Sequence, residues 1–77
     1  MAKLTRDEEK FKSCLEKSRS KVIHKGGRNG QIYWFFKDVE PQTCFNPDII
    51  GELIRKDLVT FGRMTIESYH NAKWIGG

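Results

Sequence analysis

The densest apolar segment of the chain is residues 31–36, QIYWFF, in which five consecutive residues are apolar or aromatic. β-Branched and aromatic side chains pack well on a pleated surface, so this segment predicts a β-strand. Asn29-Gly30 comes directly before it and is the strongest short-range signal of a two-residue hairpin turn. Because residues 21–25, KVIHK, lie on the other side of that turn, we predict a β-hairpin over about 21–37.

A two-residue turn determines which residues of the hairpin face each other. Lys25 would pair with Trp34, and Arg28 with Gln31, and side chains would alternate between two faces. The predicted core face carries Ile23, Ile32, Trp34 and Phe36, and the opposite face carries Val22, His24, Tyr33 and Phe35. The two glycines before Arg28 leave a longer loop, GGRNG, as an alternative, and a slip of one residue would exchange the faces.

Two further segments repeat apolar residues at the 3.6-residue period of a helix. In the first, Thr5 and Glu8 form a capping-box pattern, which predicts a helix from about 6 to 19. In the second, Asn46 is an N-cap with proline next to it, which predicts a helix over about 47–58. The apolar face of the second helix carries Ile49, Ile50, Leu53, Ile54 and Leu58.

The last third of the chain is less regular. Residues 63–69 alternate between two sets of side chains, which predicts a strand or a second hairpin. Pro41 excludes residues 37–43 from a central strand, so they are predicted to form a loop. Residues 43–45 fit a short additional strand. A helical alternative for the last segment places four residues on one face: Ile66, Tyr69, Lys73 and Trp74.

Together these elements predict an α+β fold in which helices and strands pack as one small two-layer domain over residues 1–77. The ends, 1–4 and 75–77, are expected to fray. At 77 residues the chain has room for a small core only. The predicted core consists of Phe11, Leu15, Ile32, Trp34, Phe36, Ile50, Leu53 and Ile54.

Positive charge is concentrated in the first part of the chain. The net charge is +4, from 14 Lys and Arg against 10 Asp and Glu. Residues 1–30 hold nine of the cations and four of the acids, which leaves residues 31–77 slightly acidic. Such asymmetry favours an anionic partner, although runs of charge also serve solubility.

No catalytic or metal-binding motif stands out. Cys14 and Cys44 match no zinc or redox spacing, so we expect two free, reduced thiols and neither metal nor cofactor. No motif sets a nucleophile beside His24 or His70, the two side chains that ordinarily titrate near neutral pH, so a binding protein is favoured over an enzyme. One catalytic alternative stays open, metal-independent RNA cleavage, and its residues would be His24, Lys25 and Arg28.

The chain carries no apolar run long enough to span a bilayer, and its start lacks the hydrophobic region of a signal peptide. We therefore expect no membrane partner and a cytoplasmic location.

The leading functional prediction is a small basic module that binds nucleic acid. Such binding needs cations for the phosphates and aromatic planes for the bases. The candidates are Lys10, Lys12, Lys17, Arg19, Lys21, Lys25 and Arg28 as cations, and Tyr33 and Phe35 as stacking residues. The order helix, hairpin, short strand, helix resembles that of double-stranded-RNA-binding domains and of HicA-type mRNA-cleaving toxins. The likeness is one of element order, and the Gly-Ser-His-His segment of those toxins is absent.

The alternative is a small regulator or inhibitor that docks on a larger enzyme through exposed aromatic residues. Trp, Tyr and Arg are the residue types that most often anchor protein interfaces. The anchors would be Trp34, Arg63, Tyr69 and Trp74. A small core with many aromatic residues also suits a homodimer.

Overall fold

The computed structural model describes residues 3–76 and confirms the α+β fold. The described elements are α1 (Arg6–Lys17), β1 (Ile23–Arg28), β2 (Gln31–Phe35), β3 (Cys44–Phe45), α2 (Pro47–Arg55), β4 (Val59–Thr60), β5 (Arg63–Met64), β6 (Ser68–His70) and β7 (Lys73–Trp74). Five strands form one antiparallel sheet in the order β3-β2-β1-β6-β5, and β4 pairs with β7. Both helices bury their apolar residues in the same core, so the fold has a helical layer and a sheet layer.

The predicted hairpin and its register are confirmed. Lys25 faces Trp34, and Arg28 faces Gln31. The turn residues Asn29 and Gly30 have φ angles of 51° and 77°. Positive φ at both central positions is what a two-residue hairpin turn of this hand requires, so the longer loop and the slipped register are both excluded.

Both predicted helices exist and both end earlier than expected. The capping box of α1 is present, since the Thr5 hydroxyl accepts from the Glu8 amide at 3.2 Å and the Thr5 amide donates to Glu8 at 2.8 Å. The end of α2 is set by Asp57, whose φ of 57° lets the Leu58 amide donate back to the Leu53 carbonyl at 3.0 Å. Neither helix within residues 3–76 is long and apolar enough to cross a membrane.

The C-terminal segment is a second hairpin, so the helical alternative is wrong. The predicted strand over 63–69 is interrupted because the Thr65 hydroxyl accepts from the amides of Glu67 and Ser68 and closes a turn between β5 and β6. At residues 75 and 76, where fraying was expected, both amides donate to the Leu58 carbonyl, at 2.8 and 3.1 Å. Residues 1, 2 and 77 lie outside the described residues, and residues 3 and 4 belong to no helix or strand.

The core is built around Phe11 of α1. Its ring centroid lies 5.4 Å from that of Phe36 and 5.2 Å from that of Phe45. Six of the eight predicted core residues are buried, but Ile32 is 45% exposed and Ile54 is 41% exposed. The described core consists of Phe11, Cys14, Leu15, Ile23, Trp34, Phe36, Val39, Phe45, Ile50, Leu53, Val59 and Ala72.

Ile32 is exposed because the hairpin extends beyond its neighbouring strands. On one side β3 pairs with β2 only at Trp34 and Phe35, and on the other side β6 pairs with β1 only at Ile23 and His24. Ile32 lies nearer the turn than these pairs and so has no strand beside it on its outer edge.

A single carboxylate, Asp38, holds the connection between α1 and β1. It accepts hydrogen bonds from the Ser18 hydroxyl at 2.9 Å and from the amides of Arg19 and Ser20 at 2.7 and 2.9 Å. These donors stabilise the charged form, with the Ser20 amide contributing most, and lower the pKa of Asp38 to about 2. The Lys21 ammonium donates to the Leu15 carbonyl and so closes the end of the helix.

One ion pair joins the two helices. The buried Glu8 carboxylate accepts from Lys56 Nζ at 2.8 Å, beyond the end of α2. This hydrogen bond is the largest cause of the lowered pKa of Glu8, and burial opposes it. The residue that caps α1 therefore also fixes α2 against it.

We predict that Leu53→Ala lowers the free energy of unfolding by about 2–4 kcal/mol, because Leu53 is fully buried and its loss leaves a cavity. Ile54→Ala is the matched control on the same helix and should cost under about 1 kcal/mol. Urea denaturation measures both values, and equal losses for the two variants would contradict the described core.

We predict that Asp38→Asn destabilises the protein by about 1–2 kcal/mol at pH 7, since charged acceptors make stronger hydrogen bonds than neutral ones. The pKa of Asp38 is lower in the folded protein than its ordinary value of 3.8, so its stabilisation is complete above about pH 4 and is lost as the pH falls towards 2. Urea denaturation across this range should show the two proteins converging in stability. A difference that stays constant down to pH 2 would contradict the described contacts of Asp38.

Candidate nucleic-acid interface

One face of the five-stranded sheet has neither helix packed on it. The helices pack against the side of Ile23, Trp34 and Phe36. Because side chains alternate along a strand, His24 and Phe35 point to the opposite side. We call this surface the open face, and it carries His24, Arg28, Gln31, Tyr33, Phe35, Cys44, Arg63, Ser68 and His70.

The centre of the open face is an aromatic cluster. The ring centroid of Phe35 lies 5.6 Å from that of Tyr33 and 6.2 Å from that of His24. Both Tyr33 and Phe35 are half-buried, so one side of each ring is accessible. Such rings form the kind of plane on which nucleic-acid bases stack.

Gly26 lies directly beneath the ring of Tyr33. A Cβ atom at this position would come within 2.6–2.9 Å of the ring carbons and hydroxyl of Tyr33. The glycine therefore lets the ring lie against the strand backbone, and it holds Tyr33 beside Phe35. The neighbouring Gly27 has no such role, since a Cβ atom there would meet its nearest neighbour at 3.7 Å.

Two histidines lie beside the aromatic cluster. His24 directly faces Ser68 across β1 and β6, and the Ser68 hydroxyl lies 2.8 Å from Nε2 of His70. Burial is the main cause that lowers the pKa of His24, and the positive charges of Lys37 and His70 lower it further, against the opposing effect of Asp38. His24 is therefore neutral at neutral pH.

Three cations lie on the open face or at its border. Arg28 is exposed at the end of β1, Arg63 directly faces His70 across β5 and β6, and Lys37 lies just beyond β2. A shallow depression next to them is lined in part by His24, Phe35, Lys37, Ile66 and Glu67. Glu67 is the acid at this depression, and Asp38 also acts on His24, so the rings lie among charges of both signs.

The structure divides the predicted cations between two sides of the molecule. Arg28 shares the open face with Tyr33 and Phe35, but Lys25 faces Trp34 and therefore lies on the side of the helices. Lys21 is engaged at the end of α1. The remaining predicted cations belong to α1 and the link after it: Lys10, Lys12, Lys17 and Arg19.

The cations of α1 and of the link after it differ in exposure and in their contacts. Lys10, Lys17 and Arg19 are exposed, whereas Lys12 Nζ lies over the ring of Trp74, 5.5 Å from its centroid. A cation held over an aromatic ring is partly committed to that contact. The helix therefore offers a separate, weaker cationic surface behind the sheet.

The four predicted protein-interface anchors lie in different parts of the molecule. Trp34 is buried and stacks on Tyr69 with centroids 4.4 Å apart, Trp74 lies beneath Lys12, and Arg63 is on the open face. The Trp34–Tyr69 stack does, however, line a groove against α2. We call this the apolar groove, and it is lined by Lys25, Ile32, Trp34, Pro47, Ile50, Gly51, Ile54 and Tyr69.

Sequence reasoning did not assign Lys37 or His70 to the site, and it assigned Arg63 to a protein interface. Lys37 continues the alternation of Tyr33 and Phe35, so the signal for it was present in the chain. His70 and Arg63 reach the open face through pairing of β6 with β1 and of β5 with β6, which local patterns do not reveal.

Among residues 3–76, no three His, Cys, Asp or Glu side chains come together as metal ligands. Cys14 is buried and Cys44 is exposed, and both are free thiols.

Comparison of the chain with protein-family models, with curated proteins and with solved structures finds no match. The site is therefore interpreted from its own geometry.

We predict that Gly26→Ala displaces the ring of Tyr33 from the strand without unfolding the protein, because the crowded atoms are the far end of a side chain that can rotate. Gly27→Ala is the matched control and should leave the ring in place. The aromatic proton shifts of Tyr33 in an NMR spectrum report the ring position. Identical Tyr33 shifts in the wild type and both variants would contradict the described contact.

Proposed function

We propose that the protein binds single-stranded nucleic acid on its open face. The observation that carries the proposal is a sheet face with neither α1 nor α2 packed on it, where half-buried Tyr33 and Phe35 share the surface with cations. Aromatic rings stack on bases of any sequence, and cations beside them neutralise the backbone phosphates. A duplex keeps its bases stacked on one another, so a platform of this kind favours unpaired strands.

Arg28, Lys37 and Arg63 are the proposed phosphate contacts. They are spread over the open face, from the hairpin end to β5. A strand that stacks a base on Phe35 would thus have phosphates near a cation in either direction along the chain. The cations of α1 lie behind the sheet, and we assign them a general attraction of the polyanion rather than direct contact.

We place this binding in the cytoplasm. The support is that Cys44 is an exposed free thiol, which persists in a reducing compartment and is readily oxidised elsewhere.

We predict that the wild-type protein binds a labelled single-stranded oligonucleotide and that Phe35→Ala weakens this binding by about 1–3 kcal/mol, the usual contribution of one stacked base. Lys37→Ala and Arg63→Ala should each reduce the slope of log K against log salt by about 0.7. Fluorescence anisotropy over a salt series measures both effects.

Lys73→Ala is the control for these variants, since Lys73 is exposed on β7, away from the open face. It should change neither the affinity nor the salt slope by as much. Wild-type binding weaker than about 10⁻⁴ M at low salt, below ordinary non-specific association, would overturn the proposal. Equal effects of Lys73→Ala and Lys37→Ala would overturn the choice of face.

The second candidate function is protein docking, as a small regulator or inhibitor of a larger enzyme or as a homodimer. The observation in its favour is that Ile32 and Ile54 are exposed on either side of the apolar groove. Exposed apolar side chains around a stacked aromatic pair suit an interface anchor. Binding there would be insensitive to salt, and a second copy in the groove would double the mass in solution.

A further inference from the structure

We propose that the open face cleaves single-stranded RNA, with His24 as general base and His70 as general acid. This activity rests on the proposed binding of nucleic acid to the same face. The sequence suggested His24, Lys25 and Arg28 for such a reaction. His24 is kept, but Lys25 is not, because it faces Trp34 on the other side of the sheet.

The two imidazoles are diagonal neighbours on adjacent strands. His24 directly faces Ser68, and His70 lies two residues further along β6 on the same face. Diagonal neighbours of this kind have Cα atoms about 7–8 Å apart. One phosphodiester bound on this face would thus lie within reach of both imidazoles, one acting as base and the other as acid.

Both rings have a nitrogen available for the substrate. Within residues 3–76, the hydrogen bond between Nε2 of His70 and the Ser68 hydroxyl is the one that involves an imidazole. It occupies Nε2 of His70 and leaves Nδ1 for the substrate. His24 is half-buried on its strand and lines the depression beside Phe35, where its ring can contact the substrate.

The surroundings of His24 favour its neutral form. The charged and titratable groups around His24 are Lys37 beyond β2, His70 on β6, Asp38 and, at the same depression, Glu67 and Lys25, the chain neighbour of His24. Burial and the first two of these keep the pKa of His24 low, so it is neutral and ready to accept a proton. His24 is therefore assigned as the base, and His70, its diagonal neighbour on β6, as the acid.

The reaction is a transfer within the RNA strand. Neutral His24 accepts the proton of a ribose 2′-hydroxyl while that oxygen forms a bond to the adjacent phosphorus. The bond from phosphorus to the 5′ oxygen of the next nucleotide breaks, and protonated His70 donates a proton to that oxygen. The products are a 2′,3′-cyclic phosphate and a 5′-hydroxyl, and exchange of protons with water returns both imidazoles to their starting states.

The remaining groups of the open face fit the same substrate. Lys37 is the cation whose charge acts most strongly on His24, and it is proposed to balance the negative charge that develops on the phosphate. Tyr33 and Phe35 can stack the bases that flank the cleaved bond and so hold the phosphate at the histidines. DNA could bind in the same way, but it lacks the 2′-hydroxyl and would not be cleaved.

The test compares a single-stranded RNA with the same sequence made of 2′-O-methyl ribose, in buffer containing EDTA. The methylated strand reports binding by anisotropy, and the RNA reports cleavage by gel electrophoresis with identification of the cyclic phosphate end. We expect the wild type to bind both strands and to cleave the RNA alone. His24→Ala and His70→Ala, purified in parallel, should each reduce the cleavage rate by about 100-fold or more, with threefold or smaller changes in affinity.

Lys73→Ala should cleave at the wild-type rate, and circular dichroism should show that each variant is folded. If His24→Ala fails to fold, His24→Gln keeps the size of the side chain and replaces it. Wild-type protein that binds the methylated strand and leaves RNA intact would overturn the cleavage proposal and leave the binding proposal standing. Cleavage that survives both histidine substitutions would also overturn it, and failure to bind the methylated strand would overturn both proposals.

Discussion

The structure depends on the packing of Phe11 against Phe36 and Phe45. This contact places α1 on the sheet, and the Glu8–Lys56 ion pair then fixes α2 beside it. With both helices on the same side, a chain of 77 residues has no further helix, within residues 3–76, to cover the other side. The open face is therefore a consequence of how a small core is built.

Such a face has to be stable in water while it carries aromatic rings. Here the rings shield one another: Tyr33 lies on Gly26 and against Phe35, and Phe35 lies beside His24. Most of each ring is thereby removed from water, and the part that stays exposed is available to a ligand. The same close packing buries His24, and burial lowers its pKa. The imidazole is therefore neutral and can accept a proton.

The sequence predicted the parts of the fold that local chemistry determines. The Asn29-Gly30 turn fixes the hairpin register, and the capping groups Thr5 and Asn46 fix where the helices begin. Exposure was harder to predict, because Ile32 follows the alternation of a core strand but lies beyond the end of its neighbours.

The candidate site could be predicted only in part, for the same reason. Tyr33, Phe35 and Arg28 lie on one hairpin, whose alternation places them together. His70, Ser68 and Arg63 join them because β6 pairs with β1, a contact between residues more than 40 positions apart in the chain. No local pattern specifies that pairing. Asp38 is a similar case, since its role depends on the main-chain amides of a distant link and not on its own neighbours.

The central claim is that the protein binds its ligand on the open face and not on α1 or in the apolar groove. The most direct measurement is a map of backbone amide NMR shifts during titration with a single-stranded 2′-O-methyl oligonucleotide. The account predicts the largest shifts at His24, Tyr33, Phe35 and Ser68, with α1 and α2 little changed. Shifts confined to α1, or to residues around Ile54 and Tyr69, would contradict it.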